Sequence, residues 1–218
     1  YGRDVLARTL YGGRYALQVT FIDTTITVAI GSALGILCAY LGGWFDMVIM
    51  RLIDAILAIP SILALLVVVT VFGNSIPVIV FAITIVYTPA VTRVVRGAAM
   101  AVVPLDFVTA AKARGESAFA VVLREIVPNV PGVMLVEYAM RASWAVLLIS
   151  TLSFLGFGAN PPTPDWGLMI YEGRLAMTVV PWSVLAPIIA LSTLVIGLSS
   201  AADGLSGRLG VDRLSKGA

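Results

Sequence analysis

Charge vanishes from long stretches of this chain and then returns in bursts. Thr24–Phe45 carries none over 22 residues, and 55–92 carries none over 38. About twenty apolar residues cross a hydrocarbon core of about 30 Å as a helix, so the first run predicts one span. Gly73, Asn74, Ser75 and Pro77 interrupt the second run and predict a tight turn between two spans, roughly 53–72 and 77–93. Pro60 predicts a kink in the first of these, because proline removes a backbone donor and crowds the preceding turn. A fourth span is predicted over about 131–155, carrying Glu137 and Arg141, and a fifth over about 181–202. The runs do not alternate as barrel strands would, and backbone groups in lipid must be satisfied within each segment. The pattern therefore predicts an all-α polytopic membrane protein.

Between the third and fourth spans the apolar pattern changes character. Leu105, Val108 and Ala111, then Phe119, Val122 and Leu123, recur at helical spacing. Gly115 lies between the two groups, where a left-handed turn residue is needed. The stretch predicts a helix, a turn and a second helix running up to Pro128. Its apolar positions fit either rest on a lipid interface or insertion into a groove of a soluble partner.

Composition sharpens the solvent and narrows the chemistry. Of 218 residues, 60% are hydrophobic and 12% are charged; soluble domains carry about 25% charged residues. The mean hydropathy of +1.02 agrees. A net charge of +2 without a basic stripe gives no footprint for nucleic acid. Histidine is absent and Cys38 is the sole cysteine, so the sequence offers neither paired metal-ligand spacings nor the usual general base. It contains no phosphate-cradling G-x-x-x-x-G-K-[ST] loop and no G-x-S-x-G elbow. The opening residues have no initiator methionine and no continuous apolar signal region.

Basic residues set the expected orientation. One set of connections (42–52, 93–130 and the C-terminal tail) holds nine: Arg51, Arg93, Arg96, Lys112, Arg114, Arg124, Arg208, Arg213 and Lys216. The opposite set (1–18, 73–76 and 156–180) holds four: Arg3, Arg8, Arg14 and Arg174. The first set is expected in the cytoplasm, with the C-terminus. An external N-terminal segment, in a protein whose true N-terminus is cytoplasmic, then predicts one further span ahead of residue 1, six in all.

The residues "VTAAKARG", followed after nine residues by "EIVPN", resemble the EAA loop of binding-protein-dependent ABC transporter permeases. Ala110, Ala111, Gly115, Ile126 and Pro128 fall on that pattern; Thr109 replaces its usual Glu and Val127 its Leu. "GRDVLARTLYGGR", "GGWFDMVIMRLIDAILAIPS" and "LSFLGFGANPPTPDWGLM" resemble the C-type permease subunit of dipeptide, oligopeptide and nickel importers, a likeness covering essentially the whole chain. Ile149 stands where that family often has Glu.

The resemblance implies a type I ABC importer transmembrane fold over 13–203, an external segment 1–18, a cytoplasmic coupling loop 105–128, an external loop 156–181 and a cytoplasmic tail 204–218. It implies a bacterial or archaeal plasma-membrane location and a role as the permease of an ATP-driven importer. The implied partners are a homologous permease, two ABC ATPases, an extracytoplasmic binding protein, membrane lipid and a di- or oligopeptide substrate. ATP and magnesium are expected on the ATPases, with no cofactor or metal on this chain and no catalysis by it. Ala110, Ala111, Lys112, Gly115, Glu116 and Phe119 are the implied ATPase-coupling residues. The same machine importing nickel or another small solute is one alternative. An ion-coupled secondary transporter is another, and a membrane-embedded enzyme is a third class.

Other residues carry two readings each. Glu137 and Arg141, four apart, share a helix face and either neutralise each other within the bundle or line the substrate path. Pro161, Pro162, Asp165 and Trp166 form either a rigid turn or part of an external mouth. Asp23 and Asp54, at predicted span ends, are expected as interfacial anchors. Trp44, Trp166 and Trp182 are expected in the aromatic belt.

Overall fold

A computed structural model describes residues 4–159 and 161–209. Arg3, Arg213, Lys216 and the rest of the tail beyond 209 lie outside the described residues. The described chain is helical: α1 Val5–Leu41, α2 Gly43–Leu57, α3 Ser61–Phe72, α4 Ile76–Val102, α5 Asp106–Ala113, α6 Ala118–Val121, α7 Pro131–Phe154, α8 Trp166–Gly173 and α9 Trp182–Leu209. No strand occurs among the described residues. Helices α1, α4, α7 and α9 are each long and apolar enough to cross a membrane; α2 and α3 meet at 84° and reach that length and hydropathy only together, as a broken span or a re-entrant pair.

The spans fall where the uncharged runs lie, but their bounds differ from the expectation. Helix α1 begins about twenty residues before Thr24, so most of the expected external segment 1–18 is helix continuous with the first span. Its 37 residues extend about 55 Å, well beyond one hydrocarbon core. Helix α4 likewise runs nine residues past Arg93, so Arg93 and Arg96 lie within it. At Pro60 the chain does more than kink: the helix stops at Leu57 and restarts at Ser61. The expected turn at 73–75 is present, between the end of α3 and the start of α4.

The chain divides into two compact units, threaded by the long helices. Among the described residues, the first comprises 4–24, 62–84, 139–159 and 161–201; the second comprises 25–61, 85–138 and 202–209. In the second unit, Val28 and Ile36 of α1 pack with Val91, Val95 and Ala99 of α4. A side chain at Gly31 would come within 2.7 Å of Val91, and one at Gly35 within 2.7 Å of the Thr92 carbonyl. The G-x-x-x-G spacing thus lets the two backbones approach, as small residues do in membrane helix pairs. Two ion pairs fasten α2 to α4: Arg96 grips Asp46 through two hydrogen bonds, and Arg93 pairs with Asp54 at 2.5 Å. Asp54 is exposed at the helix surface and is held there by its pair with Arg93.

In the first unit, α8 is keyed into the surrounding helices. The Trp166 indole lies against Gly12 and Gly13, where an added Cβ would come within 2.8 Å and 2.6 Å of the ring. Its Nε1 donates to the Thr9 carbonyl at 2.7 Å. Gly167 lies so close to the Ser150 carbonyl of α7 that no side chain fits. Arg8 of α1 pairs with Glu172 of α8 at 3.0 Å. Asp23 is fully buried in α1 and accepts a hydrogen bond from the Thr84 hydroxyl at 3.1 Å, so it is an interior group and not an interfacial anchor.

Candidate coupling loop and inter-span helices

The segment between α4 and α7 is a platform built on the second unit's core. Helix α5 carries Asp106 in its first turn and Lys112 in its last, matching the helix dipole at both ends. Gly115 ends it with φ of 79°, a conformation that costs little only for glycine. The Gly115 amide donates to the Lys112 carbonyl and the Glu116 amide to the Ala111 carbonyl. This is the paired closure of a Schellman motif, which satisfies the last carbonyls of the helix. Arg114 and Glu116 bridge the turn at 2.6 Å. Ser117 then caps α6, its hydroxyl accepting from the Ala120 amide.

The second helix tightens unevenly towards its end. Over Val122–Ile126 it widens into a π turn, closed by the Val127 amide on the Val122 carbonyl. Pro128 follows and has no amide to continue an α-helical ladder. The Asn129 side chain takes up the Glu125 carbonyl at 2.6 Å. The "EIVPN" residues thus terminate the element and hand the chain to α7.

The apolar positions of the two helical patterns do not share one face. Val108, Ala111, Val121 and Ile126 are fully buried in the core that also holds Val91 and Val95. Leu105, Phe107, Phe119 and Leu123 face outward, Phe119 with 74% of its surface exposed. Of the six residues implied for coupling, Ala110, Lys112, Gly115 and Phe119 are exposed and Glu116 is half-buried in its pair with Arg114. The Lys112 ammonium lies 4.7 Å from the centre of the Tyr40 ring of α1, a cation–π contact. Ala111 is buried in the chain's own interior at 0% exposure. It holds the platform and offers nothing to an outside surface.

The segment between α7 and α9 has the opposite polarity of burial. Asp165 is buried and caps α8, accepting from the Leu168 amide at 2.9 Å. Its Oδ2 is buried and makes no well-formed hydrogen bond, and burial pushes the carboxyl above the ordinary carboxylate range, opposed by the Leu168 amide and by the neighbouring Ser153 hydroxyl and Gly167 amide. Trp166 is 7% exposed, so it belongs to the interior; Trp44 and Trp182 are exposed, as an aromatic belt requires. Pro161 and Pro162 are exposed on the approach to Asp165. On α7, Glu137 is buried and Arg141 half-buried one turn later, and both are engaged by interactions.

Sequence reasoning missed the Asp46–Arg96 and Asp54–Arg93 pairs. Their signal was two acids eight residues apart on one apolar helix, with two arginines three apart on another. It also missed the G-x-x-x-G spacing of Gly31 and Gly35, which stands openly in the sequence.

The chain is similar to known proteins along almost its whole length. It is 36% identical over 205 residues to a dipeptide transport system permease protein, DppC, of Alkalihalophilus pseudofirmus, covering 94% of this chain and 67% of that one. It is 34% identical over 204 residues to a glutathione transport system permease protein, GsiD, of Pectobacterium atrosepticum, covering 94% and 68%. The fold is shared with the MetNI methionine ABC transporter in inward-facing conformations, at a TM-score of 0.74 and 16% identity over 94% of this chain and 97% of that one. Residues 31–211 match the model of the binding-protein-dependent transport system inner membrane components. The chain belongs to that family and is a permease subunit of the ABC importer type.

Proposed function

We propose that this chain forms, with a homologous permease, the transmembrane path of an importer for di- or oligopeptides. The relatives named for dipeptide and glutathione transport support the peptide class. Two ABC ATPases carrying ATP and magnesium drive the cycle from the cytoplasm, and an external binding protein delivers the substrate. The 105–128 loop and the C-terminus face the cytoplasm, following the excess of basic residues on that side.

One observation carries the coupling role: Phe119 stands outward from a platform whose other face is locked into the chain's own core. A rigid mount transmits displacement, and an exposed aromatic is an anchor suited to a groove. The test is Phe119→Ala in the purified complex. Insertion and thermal stability should be unchanged, while ATP-driven uptake falls at least about tenfold, as for an interface anchor. Wild-type uptake by that variant would remove the loop from the coupling role.

Glu137 and Arg141 are proposed to border the peptide path from α7. Replacing both, Glu137→Gln with Arg141→Met, removes two costly intramembrane charges together and should preserve expression. Uptake should fall with the complex still assembled; unchanged uptake would leave the two residues a purely structural role.

A further inference from the structure

The first unit holds a cleft of about 500 Å³ lined by Tyr11, Arg14, Tyr15 and Gln18 of α1 and by Thr163 and Pro164 of the segment before α8. The four α1 residues recur at i, i+3, i+4 and i+7, one stripe of a helix. The stripe lies between two others: Gly12, Gly13, Ala16 and Val19 are buried, and Leu6, Leu10, Leu17 and Phe21 form an exposed apolar face. The lining offers a guanidinium, two phenols, an amide and a hydroxyl, and no carboxylate.

Two arginines of α1 divide their roles. Arg8 is neutralised by Glu172 at 3.0 Å. Arg14, six residues on, makes no ion pair or hydrogen bond among the described residues. The nearest acid in sequence to the cleft wall, Asp165, is turned inward to cap α8.

The cleft is wet. Gln18 is exposed and its side chain has no hydrogen bond among the described residues, and an unpaired amide in hydrocarbon costs several kcal/mol. The length of α1 agrees: twenty residues counted back from Leu41 reach Ile22, so 11–18 extends past one hydrocarbon thickness. A water-filled concavity with one uncompensated guanidinium, flanked by aromatic rings and amide-type partners, suits a small anion with an apolar body. Arginine takes a carboxylate through two parallel hydrogen bonds.

We propose that this cleft is a subsite for the free carboxylate end of a short peptide, with Arg14 as its anchor and Tyr11, Tyr15 and Gln18 around the peptide body. The proposal rests on the reading of the chain as a peptide permease and of 156–181 as its external side. A subsite there would hold an incoming peptide at the mouth, ahead of the path.

The test uses the importer complex purified by way of this chain, without its binding protein. The probe is a dipeptide with a photoreactive aromatic side chain and a free carboxylate. Irradiation should place the label on 11–18 or 163–164. An unlabelled dipeptide should compete, and the same dipeptide amidated at its C-terminus should need about tenfold more, the worth of a charge-assisted bond. Arg14→Gln should cut labelling about tenfold by the same reasoning, and Arg14→Lys, which keeps the charge but not the paired hydrogen bonds, should fall between Arg14→Gln and wild type. Arg14 is exposed and unpaired among the described residues, so both variants should fold. Labelling elsewhere, equal competition by acid and amide, or wild-type labelling of Arg14→Gln would overturn the subsite. Displacement by short-chain phosphatidylglycerol but not by dipeptide would assign the cleft to lipid headgroups and also overturn it. So would a variant that is labelled normally but needs more binding protein for ATPase stimulation, which would make Arg14 a docking residue. Uptake of the same dipeptide by the wild-type complex with its binding protein is measured alongside. Absent uptake sinks the peptide reading itself, whereas uptake with an unlabelled cleft sinks only the subsite.

Discussion

Phe119 and Trp166 lie in the first turns of two short helices and end in opposite places. Each follows a polar residue that caps the helix: Ser117, two positions before Phe119, and Asp165, immediately before Trp166. Each lies in a segment joining two long helices. Yet Phe119 is turned outward, while Trp166 fills a slot made by Gly12 and Gly13. The capping chemistry therefore builds the helix and does not decide its use. What decides is whether the neighbouring helix leaves room for the aromatic side chain. Small residues on α1 receive Trp166; the core of the 105–128 segment is filled by Val108, Ala111, Val121 and Ile126, and Phe119 has no part in it. An inter-span helix that buries its aromatic is a clamp, and one that presents it is a handle.

That contrast makes its largest difference in stability. Trp166→Ala empties a tightly packed site and leaves the Thr9 carbonyl without its indole donor. Losses of about 3–5 kcal/mol are usual for buried large aromatics. The variant should melt far below wild type and fail to assemble, while Phe119→Ala melts within about 0.5 kcal/mol of wild type, as exposed substitutions do. Thermal unfolding in detergent checks both. Equal losses in the two variants would break the comparison, because Phe119 would then be structural. A charge at Ala111 would strike the same core that carries the handle, so it cannot serve as a clean probe of docking.

Much of this was legible in the sequence, for identifiable reasons. Span existence followed from uncharged runs, since lipid forbids isolated charge and unpaired backbone. Span ends did not, because α1 and α4 continue as helices through residues too polar for a hydropathy argument: Arg8 and Arg14 on one, Arg93 and Arg96 on the other. Gly115 was readable as the turn, since few other residues tolerate its φ. The burial of Ala111, Asp23 and Trp166 was not readable. Helical spacing groups residues on a face but is silent about what covers that face, and a tryptophan near a span end looks the same whether lipid or glycine receives it. The motif likeness found the loop; only the packing separated its inward residues from Phe119.

The smallest expected effect sharpens the cap itself. Asp165 performs two functions that pull against each other: its Oδ1 caps α8, and its buried Oδ2 carries charge with no well-formed hydrogen bond, only the nearby Ser153 hydroxyl and Gly167 amide easing it. Burial raises its folded value above the unfolded one, so ionisation withdraws stability at neutral pH. That stability returns as the pH falls through the raised value, which lies above the ordinary carboxylate range. Asp165→Asn keeps an oxygen to accept from the Leu168 amide and removes the charge, so it should equal or slightly exceed wild type at neutral pH and lose this part of the pH dependence. Asp165→Ala removes the cap as well and should cost about 1 kcal/mol. Ser117→Ala should cost a similar amount in the other helix with no change in the pH profile, because its cap is neutral. Melting curves of the three variants between pH 5 and 8 decide it, a range of about three units above the usual carboxylate value. If Asp165→Asn keeps the wild-type pH profile, or falls as far as Asp165→Ala, the buried charge is stabilised by its surroundings and the clamp is held by an ion, not by a neutral cap.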